Sequence, residues 1–321
     1  MTSMATGRVL LYLQLLHQLT LAQADDLQPA MDRIMASGKV GSPMTSDFKK
    51  VSRSVRSADR LELWRRIQLA SLHMAVNVAD HVRALALLLS QPSVGVPVYA
   101  HSTAARVAIE SATNVAYLLD RAESFDLRFA RGVAFLISDS DQARRTAVKV
   151  PGNAYMPAPG PAATRDHEEL MALIKRAKIE IIPNVKGRPK GVRVTPDTDE
   201  APIDVKTTDL VHAQYPDMPA VYSLMSGVTH GMPHKLGDNA WFANRHAHWD
   251  TDPLDVGGSV LAAANAAHTM LAAHAWHYGL EDDPAIAATH ARIARVDAAI
   301  QRFARDHVQL PRPILTGGTI V

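Results

Sequence analysis

Cysteine is absent from this sequence of 321 residues, and its absence removes several kinds of chemistry. Without a thiol the chain forms no disulfide, holds no thiolate-ligated zinc and offers no cysteine nucleophile. Histidine is then the strongest remaining nitrogen ligand for a metal, and the chain has 15 histidines. Hydrophobic residues make up 47% of the sequence, enough for a folded globular core.

Long apolar runs are lacking as well. No stretch reaches the about 18 uninterrupted apolar residues of a membrane-spanning helix, so we expect a cytoplasmic protein without a membrane span. The start of the chain, with Arg8, an apolar stretch and Ala22-Gln-Ala24, resembles a secretory signal. Three polar residues interrupt it, namely Gln14, His17 and Gln18. Leucines there recur with a helical period, which favours an amphipathic docking helix, at Leu11, Leu15, Leu16 and Leu19.

Neither sign of charge is in excess, since 34 Lys and Arg residues face 32 Asp and Glu residues. This balance argues against a surface coated in positive charge for nucleic acid or anionic membrane, so any basic surface must be local. The sequence also has no G-x-x-x-x-G-K-[ST] loop, G-x-G-x-x-G turn or G-x-S-x-G elbow. Nucleotide hydrolysis at a P-loop, Rossmann chemistry and α/β-hydrolase chemistry therefore lack support.

Aromatic residues are scarce, at 5%, whereas Ala and Leu dominate and apolar residues recur with helical spacing. The sequence therefore predicts a mainly α fold, a helical bundle with a small β-hairpin insertion. Helices are predicted at about 7–23, 26–36, 58–90, 98–120, 123–147, 166–178, 217–230, 254–279 and 284–307. Asp252-Pro253 and Asp283-Pro284 are typical of helix starts, with Asp as the cap and Pro in the first turn.

The predicted organisation is an N-terminal helical segment, 1–57, a bundle core, 58–310, and a C-terminal tail, 311–321. A Pro- and Gly-rich insertion, 150–206, interrupts the core. Within it, Ile179–Ile182 and Val192–Val194 are predicted to pair as a hairpin around the Lys186–Gly191 turn. Four cations make this turn a candidate nucleic-acid contact, Lys186, Arg188, Lys190 and Arg193. A solvated hairpin turn is the simpler interpretation.

Three helices carry polar stripes on otherwise apolar faces. The first stripe contains His73, Asn77, Asp80 and His81, the second Arg106, Glu110 and Asn114, and the third Tyr222, Ser226 and His230. Residues at i, i+4 and i+8 share one face of a helix, and buried polar groups need partners. We therefore expect the stripes to meet, with Arg106 held by Glu110 and Asp80.

Such a meeting point is also how an acid–base site is built. The candidate catalytic residues are His230, Arg106, Glu110, Ser226, Tyr222, Asp80 and His81. Two alternatives stay open, a buried structural network and a solvated Arg106–Glu110 pair on a helix surface. For His230 alone, the alternative is a histidine that caps helix-end carbonyls before Gly231.

A metal site is not expected. His230 and His234 have the i, i+4 spacing of helical zinc sites, but Gly231 and Pro233 stand between them and no H-E-x-x-H motif is present. Further histidines enrich the C-terminal part, His246, His248, His268, His274 and His277. No Glu-x-x-His pair of a di-iron bundle accompanies them, so a His-ligated metalloprotein is the third hypothesis.

The Arg106-x-x-x-Glu110 helix with its Leu118-Leu119-Asp120 end, followed downstream by Tyr222-x-x-x-Ser226-x-x-x-His230, resembles uncharacterised helical proteins common in actinobacteria. These look related to the HEPN superfamily (higher eukaryotes and prokaryotes nucleotide-binding), and the resemblance covers about residues 58–280. It implies a helical bundle, a homodimer and no cofactor. It also implies RNA or nucleotide processing, because active members are frequently metal-independent ribonucleases of toxin or phage-defence systems.

One departure from that pattern concerns the catalytic histidine. Those ribonucleases carry an Arg separated by four to six residues from it, whereas Ser223, Leu224 and Met225 occupy these positions before His230. Arg66 with His73, and Arg302 with His307, have a permitted spacing. Two function classes therefore remain, a HEPN-like nucleic-acid-processing bundle and a non-catalytic bundle that binds a ligand or a protein partner.

Overall fold

The computed structural model of the chain describes residues 2–36, 38–93, 95–232, 236, 239–243 and 246–308. Within them the chain forms ten helices, α1 (Thr2–Ala36), α2 (Pro43–Arg53), α3 (Ser57–Leu88), α4 (Ala100–Leu118), α5 (Phe125–Ala147), α6 (Gly160–Arg176), α7 (Thr207–Gln214), α8 (Pro219–Thr229), α9 (Pro253–Tyr278) and α10 (Pro284–Val308). Five short strands are β1 (Glu180–Pro183), β2 (Pro189–Arg193), β3 (Ala201–Pro202), β4 (Ala240–Ala243) and β5 (His246–Trp249). The predicted mainly α fold with a small hairpin is confirmed.

Helix α9 lies at the centre of the main hydrophobic core, where it packs against α1, α3, α4 and α10. Small side chains along it allow close approach of these neighbours, and the buried ones include Ala262, Ala263, Ala266 and Ala267. Asp252 caps its start by accepting a hydrogen bond from the Leu254 amide at 2.8 Å. Asp283 accepts one from the Ala285 amide at 2.9 Å. Both predicted Asp–Pro helix starts are confirmed.

Helix α1 is a single helix of 35 residues, where two helices were predicted. Pro29 lies inside it on the exposed side. A proline removes one backbone hydrogen bond, but the buried stripe continues past it and keeps the helix packed, through Leu27, Ala30, Met31 and Ile34. The predicted docking face is present, since Leu16 and Leu19 are buried, although Leu11 is exposed.

A second hydrophobic core joins the insertion to the bundle. It gathers residues of α5, α6 and the three-stranded sheet with the first half of α3, for example Leu63, Phe129, Ile174 and Val192. The strands are antiparallel in the order β1-β2-β3, with Ile181 opposite Val192 and Val192 opposite Ala201. The predicted hairpin is confirmed, and the third strand is new.

Helices α2 and α7 and the β4–β5 hairpin were not predicted. They are short, and α2 buries only Asp47 and Val51, so it carries too few apolar residues for a periodic signal. None of the helices in the described part of the chain combines the length and apolar character needed to span a membrane.

Candidate functional site

Three of the candidate residues meet where α4 packs against α8. Arg106 Nε donates a hydrogen bond to Glu110 Oε1 at 2.8 Å, one turn along α4. The Tyr222 hydroxyl of α8 donates to the same oxygen at 2.7 Å. The Arg106 guanidinium carbon lies 5.7 Å from the centre of the Tyr222 ring, within the range of a cation–π contact. These three residues are called the α4–α8 cluster below.

The α4–α8 cluster lies at the edge of the core. Tyr222 is buried, whereas the side chains of Arg106 and Glu110 are 13% and 29% exposed to solvent. Burial raises the pKa of Tyr222, and the hydrogen bond to the Glu110 carboxylate raises it further. Burial is the largest single influence on the pKa of Arg106 and lowers it, but the hydrogen bond to Glu110, the charge of Glu110 and the contact with Tyr222 together outweigh burial and raise this pKa. At neutral pH Arg106 is therefore a guanidinium and Tyr222 a neutral phenol.

One hydrogen-bond donor of the α4–α8 cluster is unsatisfied. Arg106 Nη1 is buried and has no hydrogen-bond partner among the residues that the structure describes. A buried donor without a partner costs about 1–3 kcal/mol, so such an atom points to a missing acceptor. Within the described residues, Glu110 Oε2 also accepts no hydrogen bond, although this carboxylate is partly exposed.

His230 and Ser226 do not belong to the α4–α8 cluster, contrary to the prediction. His230 is the C-terminal cap of α8, exposed, two turns or about 12 Å along the axis from Tyr222. Its backbone amide donates to the Ser226 carbonyl at 3.0 Å. His230 therefore sits at a helix end, and among the described contacts no hydrogen bond or ion pair joins it to Arg106 or Glu110.

Asp80 and His81 are also separate from Arg106, which corrects the expectation that Asp80 would hold it. The buried face of α3 runs through Val78, Val82 and Leu85, so Asp80 points to solvent. His81 Nδ1 lies 2.9 Å from the carbonyl of Asn77 on its own helix. The residue of this stripe that reaches α4 is Asn77, whose Nδ2 donates to Ser111 Oγ at 2.9 Å.

The four hairpin cations divide into two pairs. Lys190 forms an exposed ion pair with Glu200 at 3.7 Å, and Arg193 one with Glu180 at 3.4 Å. Lys186 and Arg188 stand at the exposed tip, without an ion-pair partner in the described part of the chain. The tip is shaped by Asn184, whose Oδ1 accepts from the amides of both residues at 2.9 and 3.0 Å.

A second polar cluster, which the sequence did not reveal, lies between α2, α3, α5 and α9. Arg128 Nη2 donates to both carboxylate oxygens of Asp47, at 3.1 and 2.8 Å, and both side chains are buried. His277 Nε2 lies 2.9 Å from Gln68 Oε1. Desolvation lowers the pKa of His277 to about 3, so this histidine is neutral. Its members stand on four elements far apart in sequence, and none belongs to a stripe.

Two other histidines of the C-terminal part, His268 and His274, contact hydroxyl groups. His268 Nδ1 lies 2.8 Å from Thr289 Oγ1, and His274 Nε2 lies 3.2 Å from Ser71 Oγ. No three His, Asp or Glu residues of the described part form a group that could hold a metal ion. His234 and the side chain of His248 lie outside the described residues.

No family model matches this sequence, and neither a curated protein nor a solved structure shows significant similarity to it.

Proposed function

We propose that this protein binds the ribose–phosphate of RNA or of a nucleotide at the α4–α8 cluster. The observation that carries the proposal is an unsatisfied buried donor, Arg106 Nη1, beside the partly exposed carboxylate of Glu110, whose Oε2 accepts no hydrogen bond within the described residues. A guanidinium binds phosphate oxygens, and a carboxylate accepts a hydrogen bond from a ribose hydroxyl. A simple anion would meet repulsion from Glu110, whereas a ribose–phosphate supplies both groups.

The cluster is also pre-organised for such a ligand. Glu110 fixes the Arg106 side chain through Nε, and Tyr222 fixes Glu110 through the same carboxylate oxygen. The remaining guanidinium and carboxylate atoms therefore keep one orientation, which lowers the entropic cost of binding. The superfamily resemblance of the α4 and α8 motifs supports the same ligand class, as does the pair of unpaired cations at the hairpin tip.

The test compares two arginines in similar surroundings. Arg131 has the same 13% side-chain exposure as Arg106, pairs with Asp120 and Glu123, and lies 4.4 Å from the centre of the Tyr117 ring. We expect Arg106→Lys to weaken binding of a fluorescein-labelled RNA 12-mer by roughly 10- to 100-fold, because a charge-assisted hydrogen bond contributes about 1.5–3 kcal/mol. Arg131→Lys should leave the affinity unchanged. Equal affinities of the two variants in fluorescence anisotropy would contradict the proposal.

RNA cleavage at the same cluster is the second candidate function. Its support is the hydrogen bond from the Tyr222 hydroxyl to the Glu110 carboxylate, a proton donor and acceptor held side by side. In this reaction Glu110 removes the proton of the 2′-hydroxyl, the 2′-oxygen attacks phosphorus, and the bond from phosphorus to the 5′-oxygen breaks. Tyr222 gives the leaving 5′-oxygen its proton, and Arg106 stabilises the charge on the phosphate. Gel analysis of RNA with EDTA present tests it: Glu110→Gln should abolish cleavage, and His230→Ala should leave it intact. If the wild type binds RNA but does not cleave it, the cleavage hypothesis is wrong and only the binding function remains.

The homodimer implied by the resemblance remains a prediction. Light scattering coupled to size-exclusion chromatography would measure the mass in solution against the 34.8 kDa of one chain.

A further inference from the structure

The buried ion pair between Asp47 and Arg128 joins a short helix to the rest of the molecule. Asp47 belongs to α2 and Arg128 to α5, and their relative exposures are 5% and 9%. A single nitrogen of the guanidinium, Nη2, holds both carboxylate oxygens. Asp47 thus presents its carboxylate to Arg128 in the way that a bound ligand would.

Arg128 does not depend on Asp47 for its position. Its Nη1 donates to the Glu123 carbonyl at 2.6 Å, and its guanidinium carbon lies 5.0 Å from the centre of the Trp276 ring. These contacts come from the loop before α5 and from α9, so the guanidinium stays in place when the carboxylate leaves. A buried guanidinium without an anion is strongly unfavourable, so another anion must then take its place.

Helix α2 is loosely attached for an element that covers a buried charge. Among its eleven residues only Asp47 and Val51 are buried. The ring centres of Phe48 and Trp64 lie 5.7 Å apart in an edge-to-face arrangement, but Phe48 is 42% exposed. Because Val51 is its single fully buried apolar side chain, the ion pair is the main interior anchor of this helix.

A small cavity lies beside the ion pair, and Asp47 of α2 forms part of its lining. A cavity of about 20 Å³, room for one water molecule, is bordered by Asp47, Trp64, Gln68, Phe125, Arg128 and His277. His277 is 1% exposed, and its Nδ1 has no hydrogen-bond partner in the described part of the chain. Since Nε2 carries the proton donated to Gln68 Oε1, Nδ1 is a bare acceptor.

We propose that Arg128 anchors a second binding site, for a small aromatic carboxylate that carries a hydroxyl or amine, and that Asp47 of α2 occupies this site as an internal substitute. The ligand carboxylate replaces that of Asp47 on Arg128, and the donor reaches His277 Nδ1. The ring takes the space that α2 vacates beside Trp64 and Phe125, which Phe48 and Lys50 of α2 now cover. Asp47 competes at the high effective concentration of a group on the same chain, so a simple monocarboxylate without further contacts binds poorly.

The experiment weakens the internal competitor and measures binding of external carboxylates. Asp47→Asn keeps the shape of the side chain and removes its charge, so we expect it to bind benzoate at least tenfold more tightly than the wild type by isothermal titration calorimetry. At least one of the three hydroxybenzoates should bind more tightly than benzoate. Benzamide, the neutral analogue, should not bind.

Two further variants keep the result interpretable. Asp120→Asn removes the charge of a carboxylate that pairs with the neighbouring Arg131, and should leave benzoate binding at the wild-type level. Arg128→Met added to Asp47→Asn removes both charges, preserves apolar packing and should abolish binding, with circular dichroism melting to show that the variant is folded. Benzoate affinity of Asp47→Asn no higher than that of Asp120→Asn, or equal binding of benzamide, would overturn the proposal.

Discussion

At the scale of residues, hydrogen bonding decides which polar side chain of each stripe faces the interior. Asn77 bonds to Ser111 across the α3–α4 contact, whereas Asp80, on the same predicted stripe, is exposed. An uncharged amide can be satisfied by one neighbouring hydroxyl, but a carboxylate in the same place needs a cation that is not there. The pairing of Arg106 with Glu110 followed from i, i+4 spacing alone. The choice of Tyr222 over His230 as their partner depended on the position of α8, which spacing does not give.

The Asn77–Ser111 hydrogen bond supplies a prediction at this scale. Asn77→Ala leaves the nearly buried Ser111 hydroxyl without this donor, so we expect the free energy of unfolding to fall by about 1–2 kcal/mol. His73→Ala, an exposed position on the same helix, should change it by less than about 0.5 kcal/mol. Urea titrations of the three proteins measure the difference, and equal midpoints would show that the bond contributes nothing.

At the scale of elements, the sequence predicted most helices that carry several turns of apolar periodicity and missed two short ones, α2 and α7. The bounds of α3, α4, α5, α9 and α10 agree with prediction within a few residues, since each carries several turns of apolar periodicity and the last two have Asp–Pro starts. Helix α2 has two buried residues and α7 one, so their placement depends on tertiary contacts. The cluster of Asp47, Gln68, Arg128 and His277 could not be predicted either, because tertiary contacts bring its four helices together.

The crossing of α3 and α5 is close enough to forbid a larger side chain. A Cβ on Gly132 would lie 2.5 Å from Ile67 Cδ1, whereas a Cβ on Gly258 of α9 would meet no atom within 4 Å. We expect Gly132→Ala to destabilise the fold by about 1–3 kcal/mol through overpacking. Gly258→Ala should stabilise it by about 0.5–1 kcal/mol through helix propensity. Thermal unfolding measures whether each variant is more or less stable than the wild type. Stabilisation by Gly132→Ala would contradict the close crossing of α3 and α5.

The β1–β2 hairpin provides a test of RNA contact that depends on the proposed function. If its tip binds the RNA backbone, Lys186→Ala with Arg188→Ala should lower the affinity and reduce the slope of log K against log salt by about 1.4, the value for two contacts to a single strand. Lys190→Ala with Arg193→Ala removes cations already paired with Glu200 and Glu180, so the slope should change less. Equal changes in the two double variants would argue against a contact at the tip.

At the scale of the whole molecule, two hydrophobic cores share the long helix α3. The first half of α3 packs with α5, α6 and the sheet, and its second half packs with α1, α4 and α9. Helical periodicity predicted that α3 would be buried but could not reveal that its two halves belong to different cores. The polar cluster of Arg128 and His277 lies near the boundary between them, where side chains of both cores converge.

Buried neutral histidines make the stability of the whole fold dependent on pH. Desolvation lowers the pKa of His101 to about 4, and that of His277 to about 3, from an ordinary value of 6.5. The unfolded chain therefore binds more protons below pH 6.5, so stability is full above that pH and falls as the pH drops towards 4. We expect a lower urea midpoint at pH 5 than at pH 7.5.

His101→Asn tests this linkage, because it removes one titrating group while an amide can still bond to Ser259, the present partner of His101 Nδ1 at 2.9 Å. The loss of stability between pH 7.5 and pH 5 should be smaller in this variant than in the wild type. His73→Asn, at an exposed position, should retain the full loss. An unchanged pH dependence in His101→Asn would assign the effect to other groups.

The packing of α1 against α9 and α10 has a consequence for synthesis on the ribosome. Helix α1 is complete after residue 36, but α9 ends at residue 278. Roughly 240 residues must therefore be added before α1 can pack against a complete α9. At about 5–20 residues per second this takes roughly ten to fifty seconds. During that interval the leucine face of α1 has no partner in α9, and a nascent chain arrested before residue 253 should present it to chaperones.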